Sequence, residues 1–198
     1  LDYSGGASCP ALLLEPQRSN LISHSEYRDG SVVTNGFISQ ATINSPEGVK
    51  NAYKLFDNSA GGANQVNQGI VVSLPSSGTY TYSVFVKADQ LNWVRLRTLG
   101  FDAGGNNESW FDLLNGTKGT INHDNATIED YGSGWYRCSV TFTSTSDLAG
   151  VVYVYLADND NDTSVLLDGT SSIFMYGFQV EQGSYPTSYI PTYGSSVT

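Results

Sequence analysis

TYTYSVFVKA, residues 79–88, decides the fold because two kinds of side chain alternate along it. Successive side chains of a β-strand point to opposite faces. One face holds Tyr80, Tyr82, Val84 and Val86. The other face carries the polar residues together with Phe85 and Lys87. The segment therefore predicts a strand with one face buried in a core.

Seven further segments repeat this alternation, and turn-forming residues separate them. They are residues 51–58, 65–74, 92–100, 109–114, 135–144, 150–158 and 172–181. A ninth strand is predicted at residues 11–17, while residues 20–46 are weakly patterned and are expected to form long loops with a short strand. The pattern predicts an all-β fold: an antiparallel β-sandwich of the jelly-roll type, with about nine strands in two sheets.

The same alternation predicts which side chains meet between the two sheets. They are Tyr82, Val84, Val86, Leu96, Phe111, Val152 and Val154. A chain of 198 residues suits one core of this kind, so residues 1–198 are expected to form a single domain, excised from a longer protein.

Charge and hydropathy exclude two classes of partner. The formal net charge of -10 repels phosphate backbones, so nucleic acid is not expected. No apolar run approaches the roughly 18 residues of a membrane helix, so membrane insertion is not expected.

The two cysteines, Cys9 and Cys138, lie far apart and form no Cys-x-x-Cys pair. In an oxidising compartment they would form one disulfide. Two buried thiols are the alternative.

Three stretches resemble a known kind of module. They are LLLEPQRSNLISHSEY (residues 12–27), GSGWYRCSVTFT (132–143) and YGFQVEQGSYPTSYIPT (176–192). Together they resemble a module of phage tail fibres and of secreted multidomain proteins of marine bacteria. The stretch at 80–88 and the GWYRC turn are also similar to jelly-roll carbohydrate-binding modules. The resemblance implies an extracellular or surface location and a lectin-like role, either beside a catalytic domain or in a fibre that could be oligomeric.

By analogy with such modules, a concave sheet face would hold a polysaccharide. Alternation sends aromatic and charged side chains outward from four strands, and the aromatic faces would stack on sugar rings. The candidate ligand-binding residues are Phe85, Lys87, Arg95, Arg97, Trp110, Asp112, Tyr153 and Tyr155. Ordinary cross-strand pairs on a solvated sheet are the alternative interpretation.

Three of the nine basic residues, Lys87, Arg95 and Arg97, fall on this predicted face. Arginine pairs with carboxylate and sulfate groups, which favours an anionic polysaccharide such as a uronate or sulfated glycan. Pairing of the arginines with Asp112 or Glu108 across the sheet is the alternative.

An acidic run suggests a structural calcium ion. Its candidate ligands are Asp158, Asp160, Asp162 and Asp168. Closely spaced carboxylates suit calcium, but Thr163 and Gly169 stand where an EF-hand loop has Gly and Glu. A solvated acidic turn is the alternative.

Catalysis is not expected, because neither His24 nor His123 adjoins a nucleophile motif and no carboxylate pair is marked. The leading hypothesis is a non-catalytic carbohydrate-binding module. The alternative is a structural or receptor-binding domain of a phage tail fibre or surface adhesin.

Overall fold

The alternating segments form antiparallel strands in the computed structural model of the chain, which describes residues 15–26, 31–102 and 107–196. Over these residues there are fourteen strands. The first seven are β1 (Ser31–Thr34), β2 (Gly36–Gln40), β3 (Tyr53–Asp57), β4 (Ala63–Asn64), β5 (Asn67–Ser73), β6 (Gly78–Ala88) and β7 (Trp93–Gly100). The others are β8 (Glu108–Asp112), β9 (Thr117–Ile121), β10 (Asn125–Asp130), β11 (Trp135–Ser144), β12 (Ala149–Ala157), β13 (Val165–Leu166) and β14 (Ser172–Gln182). None of the described residues belongs to a helix long and apolar enough to cross a membrane.

The eight strands predicted between residues 51 and 181 are present, but the count of about nine strands is wrong. Residues 20–46, where one short strand was expected, hold two, β1 and β2, and four further short strands were missed: β4, β9, β10 and β13. The sequences of β9 and β10 are mostly polar and carry only Ile121, Ala126 and Ile128 as apolar residues, too few to mark a half-buried strand by alternation. The predicted strand at 11–17 lies outside the described residues as far as residue 14, and residues 15–17 are not in a strand.

Two six-stranded antiparallel sheets pack into a β-sandwich of the jelly-roll type. The front sheet has the strand order β1-β5-β12-β7-β8-β9, and the back sheet has the order β10-β11-β6-β14-β3-β2. β4 and β13 form a separate two-stranded ladder. The longest strand pairing joins β6 to β11, from Trp135 opposite Lys87 to Ser144 opposite Gly78.

The space between the sheets is filled by the side chains that alternation predicted to be buried. All seven lie in one core cluster: Tyr82, Val84, Val86, Leu96, Phe111, Val152 and Val154. The first three come from the back sheet and the others from the front sheet. The predicted core is confirmed. Cys138 is buried in the same cluster, whereas Cys9 lies outside the described residues, as does the predicted disulfide with it.

A bulge in β14 decides what the back sheet presents on its outer face. Ladder pairing with β6 shifts between Tyr176 and Gln179, where Gly177 has a φ of 63°. A Cβ at residue 177 would lie 2.9 Å from the ring of Phe85, so glycine suits both the conformation and the space. The extra residue keeps Tyr176 on the outer face and also places Gln179 and Glu181 there, opposite Ser83 and Thr81.

The C-terminal segment, residues 183–192, covers that outer face. Glu181 accepts hydrogen bonds from the backbone nitrogen of Thr187 (2.8 Å) and from its hydroxyl (2.6 Å). Arg137 donates to the carbonyl of Thr187 at 2.6 Å, and Ile190 donates its N–H to Gln179 at 2.7 Å. Because Glu181, Gln179 and Arg137 are all buried, these bonds form away from solvent and hold the segment against the sheet.

Replacing Glu181 by Ala should lower the free energy of unfolding by about 3 kcal/mol, because the N–H and hydroxyl of Thr187 and the side-chain amide of Gln179 lose their shared acceptor. Urea unfolding measures this. The matched control is Glu129→Ala, at an exposed position of β10, which should change the value by less than about 0.5 kcal/mol. Equal effects of the two substitutions would contradict the assigned role of Glu181.

A second prediction concerns His123, which is buried and contacts Ser109 (2.7 Å) and Thr98 (3.3 Å) through its two ring nitrogens. Burial lowers the pKa of His123 to about 3. In the unfolded chain a histidine binds its proton below about pH 6.5, so the unfolded state binds more protons between these values. The free energy of unfolding should therefore fall as the pH decreases from about 6.5 toward 3, by up to about 1.4 kcal/mol per pH unit.

The variant His123→Gln removes this titration. Its free energy of unfolding, measured in urea at intervals from pH 7 to pH 4.5, should depend less steeply on pH than that of the wild type, whatever its absolute stability. Parallel pH profiles would show that His123 is not the group responsible.

Candidate functional site: the outer face of the front sheet

Two cross-strand rows on the outer face of the front sheet hold five of the eight predicted ligand-binding residues, together with Glu108. In the first row Arg95 of β7 lies between Tyr155 of β12 and Trp110 of β8. In the second row Arg97 lies between Tyr153 and Glu108. Alternation therefore assigned Arg95, Arg97, Trp110, Tyr153 and Tyr155 to the correct face. Asp112 is paired with Trp93 beyond the first row.

The prediction that β6 joins these strands in one sheet is wrong. β6 lies in the back sheet between β11 and β14, so Phe85 and Lys87 belong to the opposite side of the sandwich. Phe85 is buried there among Tyr176, Tyr189 and Tyr131. Alternation defines the two faces of each strand but not the sheet to which the strand belongs, and this is why the grouping failed.

The first row is covered. Trp110, Arg95 and Tyr155 are at most 4% exposed. The acidic turn, residues 158–164, crosses this end of the sheet: the Trp110 indole donates to the carbonyl of Asp162 at 2.7 Å. The carboxylate of Asp160 accepts hydrogen bonds from the backbone and hydroxyl of Thr120 in β9, at 2.6 and 3.1 Å. Trp110, Arg95 and Tyr155 therefore lie beneath the acidic turn and do not reach solvent.

Arg95 lies in an aromatic cage. Its guanidinium carbon is 3.8 Å from the centroid of the Tyr155 ring and 5.8 Å from that of Trp110. A carboxylate oxygen of Glu108 is 3.6 Å from one of its nitrogens. Burial lowers the pKa of Arg95, and the negative charge of Glu108 opposes that shift. Within the described residues its guanidinium nitrogens have no hydrogen-bond partner.

Asp112 stabilises a turn. Its carboxylate accepts hydrogen bonds from the backbone nitrogens of Leu114 (2.9 Å) and Asn115 (3.1 Å) and from the Asn115 side chain (2.7 Å). Burial of the carboxyl by itself would raise the pKa of Asp112. These hydrogen bonds stabilise the carboxylate more strongly than burial destabilises it, so the pKa is lowered from its usual value. The carboxylate that faces both arginines is instead Glu108, 3.4 Å from Arg97 and 3.6 Å from Arg95.

The second row and its neighbours remain accessible, and we call them the open strip. Its members are Val32, Val71, Arg97, Leu99, Glu108, Val151 and Tyr153. The aliphatic members Val32, Val71 and Leu99 are 60%, 64% and 41% exposed. Sequence reasoning missed them. The alternation of β5 contained the signal for Val71, since its neighbours Ile70 and Val72 face inward.

The position of the Tyr153 ring depends on a glycine in the neighbouring strand. Gly69 of β5 is its cross-strand partner, and a Cβ at residue 69 would lie 2.5 Å from a ring carbon of Tyr153. The tyrosine ring therefore lies over the backbone of Gly69, in space that any other residue would fill. Tyr155, at a centroid distance of 5.4 Å, supports it from the side. The result is a partly exposed aromatic surface with Arg97 and Glu108 along its edge.

Three of the four aspartates predicted to bind calcium accept hydrogen bonds, and for Asp160 the donor is Thr120 of β9. Asp162 accepts one from the Ser164 nitrogen at 3.1 Å, and Asp168 accepts two from Thr170. Over residues 15–26, 31–102 and 107–196 no three acidic, cysteine or histidine side chains are arranged to hold a metal ion. Burial raises the pKa of Asp158, and the nearby carboxylates of Asp162 and Asp168 add to that effect. Calcium would require these three side chains to turn toward one another, and its binding stays a prediction.

No family model and no curated protein matches the sequence. Among solved structures, the carbohydrate-binding module TmCBM61, solved with β-1,4-galactotriose, matches 83% of this chain and 99% of its own chain at 13% identity and a TM-score of 0.51. The likeness establishes the fold. The chain is a jelly-roll β-sandwich similar to such modules.

Two further structures match less closely. A family 35 carbohydrate-binding module from Clostridium thermocellum has 13% identity over 83% of this chain and 98% of its own, with a TM-score of 0.41. The enzymatically active domain of tailspike protein 4 of bacteriophage CBA120 has 10% identity over 81% of this chain and 21% of its own, with a TM-score of 0.49.

The calcium prediction has a direct test. An ion bound only by the folded state raises the melting temperature, so added calcium chloride should raise it and a chelator should lower it. The double variant Asp158→Asn, Asp162→Asn should lose that response, whereas Asp147→Asn, in an exposed loop, should keep it. Identical melting curves of the wild type with calcium and with chelator would reject the prediction.

Proposed function

We propose that this chain binds a polysaccharide through the open strip and does so without catalysing a reaction. The observation that carries the proposal is the partly exposed ring of Tyr153, which lies over Gly69 with Arg97 in the next strand as its cross-strand partner. Sugar rings present a C–H surface that stacks on an aromatic ring, and their hydroxyls need polar groups at its edge. Arg97 and Glu108 supply donors and acceptors at that edge.

Fixed geometry supports this interpretation. The side chain of Tyr153 packs on the sheet backbone, and Arg97 is oriented by its ion pair with Glu108 at 3.4 Å. Binding therefore immobilises few side chains, which lowers the entropic cost of association. The aliphatic residues beside the ring extend the surface along the strands, as a polymeric ligand requires.

An anionic polysaccharide is the finer part of the proposal. Arg95 and Arg97 share one carboxylate, Glu108, so this cluster carries a net charge of about +1 in a chain of net charge -10. Arg95 is buried and attracts an anion only through its electrostatic field, whereas Arg97 is partly exposed and can contact a uronate or sulfate group. Lys87 takes no part in this site.

The biological role follows from binding without chemistry. As a surface or secreted module, the chain would hold an attached catalytic domain close to its substrate and raise the effective concentration of that substrate. The appended domain and the extracellular location are parts of this proposal.

A second candidate is a structural or receptor-binding domain of a fibre or adhesin. Val32, Val71 and Leu99 favour it, because exposed aliphatic side chains grouped on one face also suit a protein partner. In that case the open strip would be an interface between copies of the chain or with a receptor.

Replacing Tyr153 by Ala should weaken polysaccharide binding by about 1–3 kcal/mol, or about 5- to 150-fold, at every salt concentration, because stacking area is lost. Affinity gels with neutral, uronate and sulfated polysaccharides measure the change. Tyr185→Ala, at a tyrosine that is 50% exposed but outside the open strip, is the matched control and should retain wild-type binding. An affinity of Tyr153→Ala equal to that of the wild type would reject the open strip as a binding site.

Replacing Arg97 by Ala should weaken binding of the anionic polysaccharides and reduce its dependence on salt, because exposed charge pairs are screened. Lys50→Ala, at an exposed lysine of the loop between β2 and β3, controls for the change in net charge. Retention by neutral glucans alone would remove the anionic part of the proposal. Failure of every glycan, together with a stable oligomer in solution, would favour the fibre or adhesin candidate.

A further inference from the structure

A cleft of about 310 Å³ lies on the other side of the sandwich, at the end of β6 and β11. One wall is the loop at residues 43–48, and the other is the turn at residues 131–134 between β10 and β11. Lys87 and Trp135 complete its lining. We call it the turn cleft. Its volume is at the lower end of the range of small-molecule sites.

Hydrogen bonds hold the two walls in place. The Trp135 indole donates to the carbonyl of Asn44 at 3.0 Å, which ties the β10–β11 turn to the loop. Within the loop, Ser45 donates its N–H to Val49 at 2.8 Å, and the Ser45 hydroxyl accepts from Glu47 at 3.2 Å. Trp135 is itself buried, so the cleft is formed before any ligand arrives.

The turn wall has an unusual backbone. Gly132, Ser133 and Gly134 have φ angles of 79°, 55° and 78°, so three consecutive residues are left-handed. Ser133 is not glycine and adopts this conformation at a cost of about 1 kcal/mol. Asp130 stabilises the turn by accepting the Gly132 N–H at 2.7 Å. Backbone strain of this kind is concentrated at binding and catalytic sites, and here the strained turn forms one wall of the cleft.

Tyr131 supplies an aromatic surface to the cleft. Its ring meets Phe85 edge to face, with a centroid distance of 4.8 Å and an interplanar angle of 81°. Phe85 is buried and fixes the ring, yet Tyr131 remains 45% exposed. The arrangement is that of an aromatic platform anchored on one side and open on the other.

Lys87 supplies the polar group. Its ammonium donates to the carbonyl of Ser133 at 2.6 Å, so the strained turn also orients the lysine. An ammonium has three N–H donors. Among contacts in the described part of the chain this one accounts for a single donor, which leaves two for hydroxyl or carboxylate oxygens of a ligand.

We propose that the turn cleft is a second saccharide-binding site, which takes one sugar unit with its C–H face on Tyr131 and its oxygens on Lys87. The inference rests on the proposed carbohydrate-binding function, because it gives the same chemistry a second location. The open strip and the turn cleft belong to opposite sheets, so one protein molecule would bind two separate polysaccharide chains. Two linked sites raise avidity without any new contact.

The test is a titration of the whole ¹⁵N-labelled chain, followed by two-dimensional amide NMR. The probes are three trisaccharides: cellotriose, β-1,4-galactotriose and trigalacturonate. Binding in the turn cleft should shift the amides of Gly132, Ser133 and Gly134, and binding on the open strip should shift those of Gly69 and Arg97. Tyr131→Ala should weaken the cleft's affinity about tenfold or more, and Tyr131→Phe should restore it, since the ring is kept.

The two sites are distinguished by their variants. Cleft shifts that disappear in Tyr131→Ala but persist in Tyr153→Ala support the second site. Shifts confined to Gly69 and Arg97 overturn it and leave the open strip standing. Shifts confined to the cleft support the second site and overturn the open strip. Absence of shifts with all three trisaccharides overturns both.

Discussion

The hydrogen bonds between Glu181 and Thr187 keep one side of this sandwich closed. Because they fix the C-terminal segment on the outer face of the back sheet, Phe85 and Tyr176 beneath it pack against each other and against Tyr189 of the segment instead of meeting solvent. One of the three stretches that carry the family resemblance, residues 176–192, contains both halves of this contact. Its role is therefore to decide which sheet is covered, and the open strip is consequently on the other sheet.

Local alternation predicted the core because burial on one face is a property of each strand by itself. Seven residues chosen from four strands lie together between the sheets, and no long-range information was needed to choose them. The strands β9 and β10 escaped prediction for the converse reason. Most of their side chains are polar and only Ile121, Ala126 and Ile128 meet the core, so their apolar alternation is short. Hydrogen bonding to β8 and β11, which the sequence does not display locally, makes them strands.

The candidate site was predicted less well, for two physical reasons. Sheet membership depends on how the chain crosses between sheets, and so Phe85 and Lys87 were assigned to the wrong side. Coverage depends on distant segments: Arg95, Trp110 and Tyr155 point outward as expected, but the turn at 158–164 lies over them. An acidic turn that suggested calcium from its composition is, in the fold, the cover of an aromatic cage around an arginine.

The central claim is that the front sheet offers the open strip while the C-terminal segment covers Tyr176 on the back sheet, and hydroxyl-radical footprinting with mass spectrometry tests it most directly. In the free chain Tyr153 and Leu99 should be oxidised readily and Tyr176 should not, and a bound polysaccharide should protect Tyr153. Ready oxidation of Tyr176 in the free chain, or polysaccharide binding that leaves the oxidation of Tyr153 and Leu99 unchanged, would contradict the account.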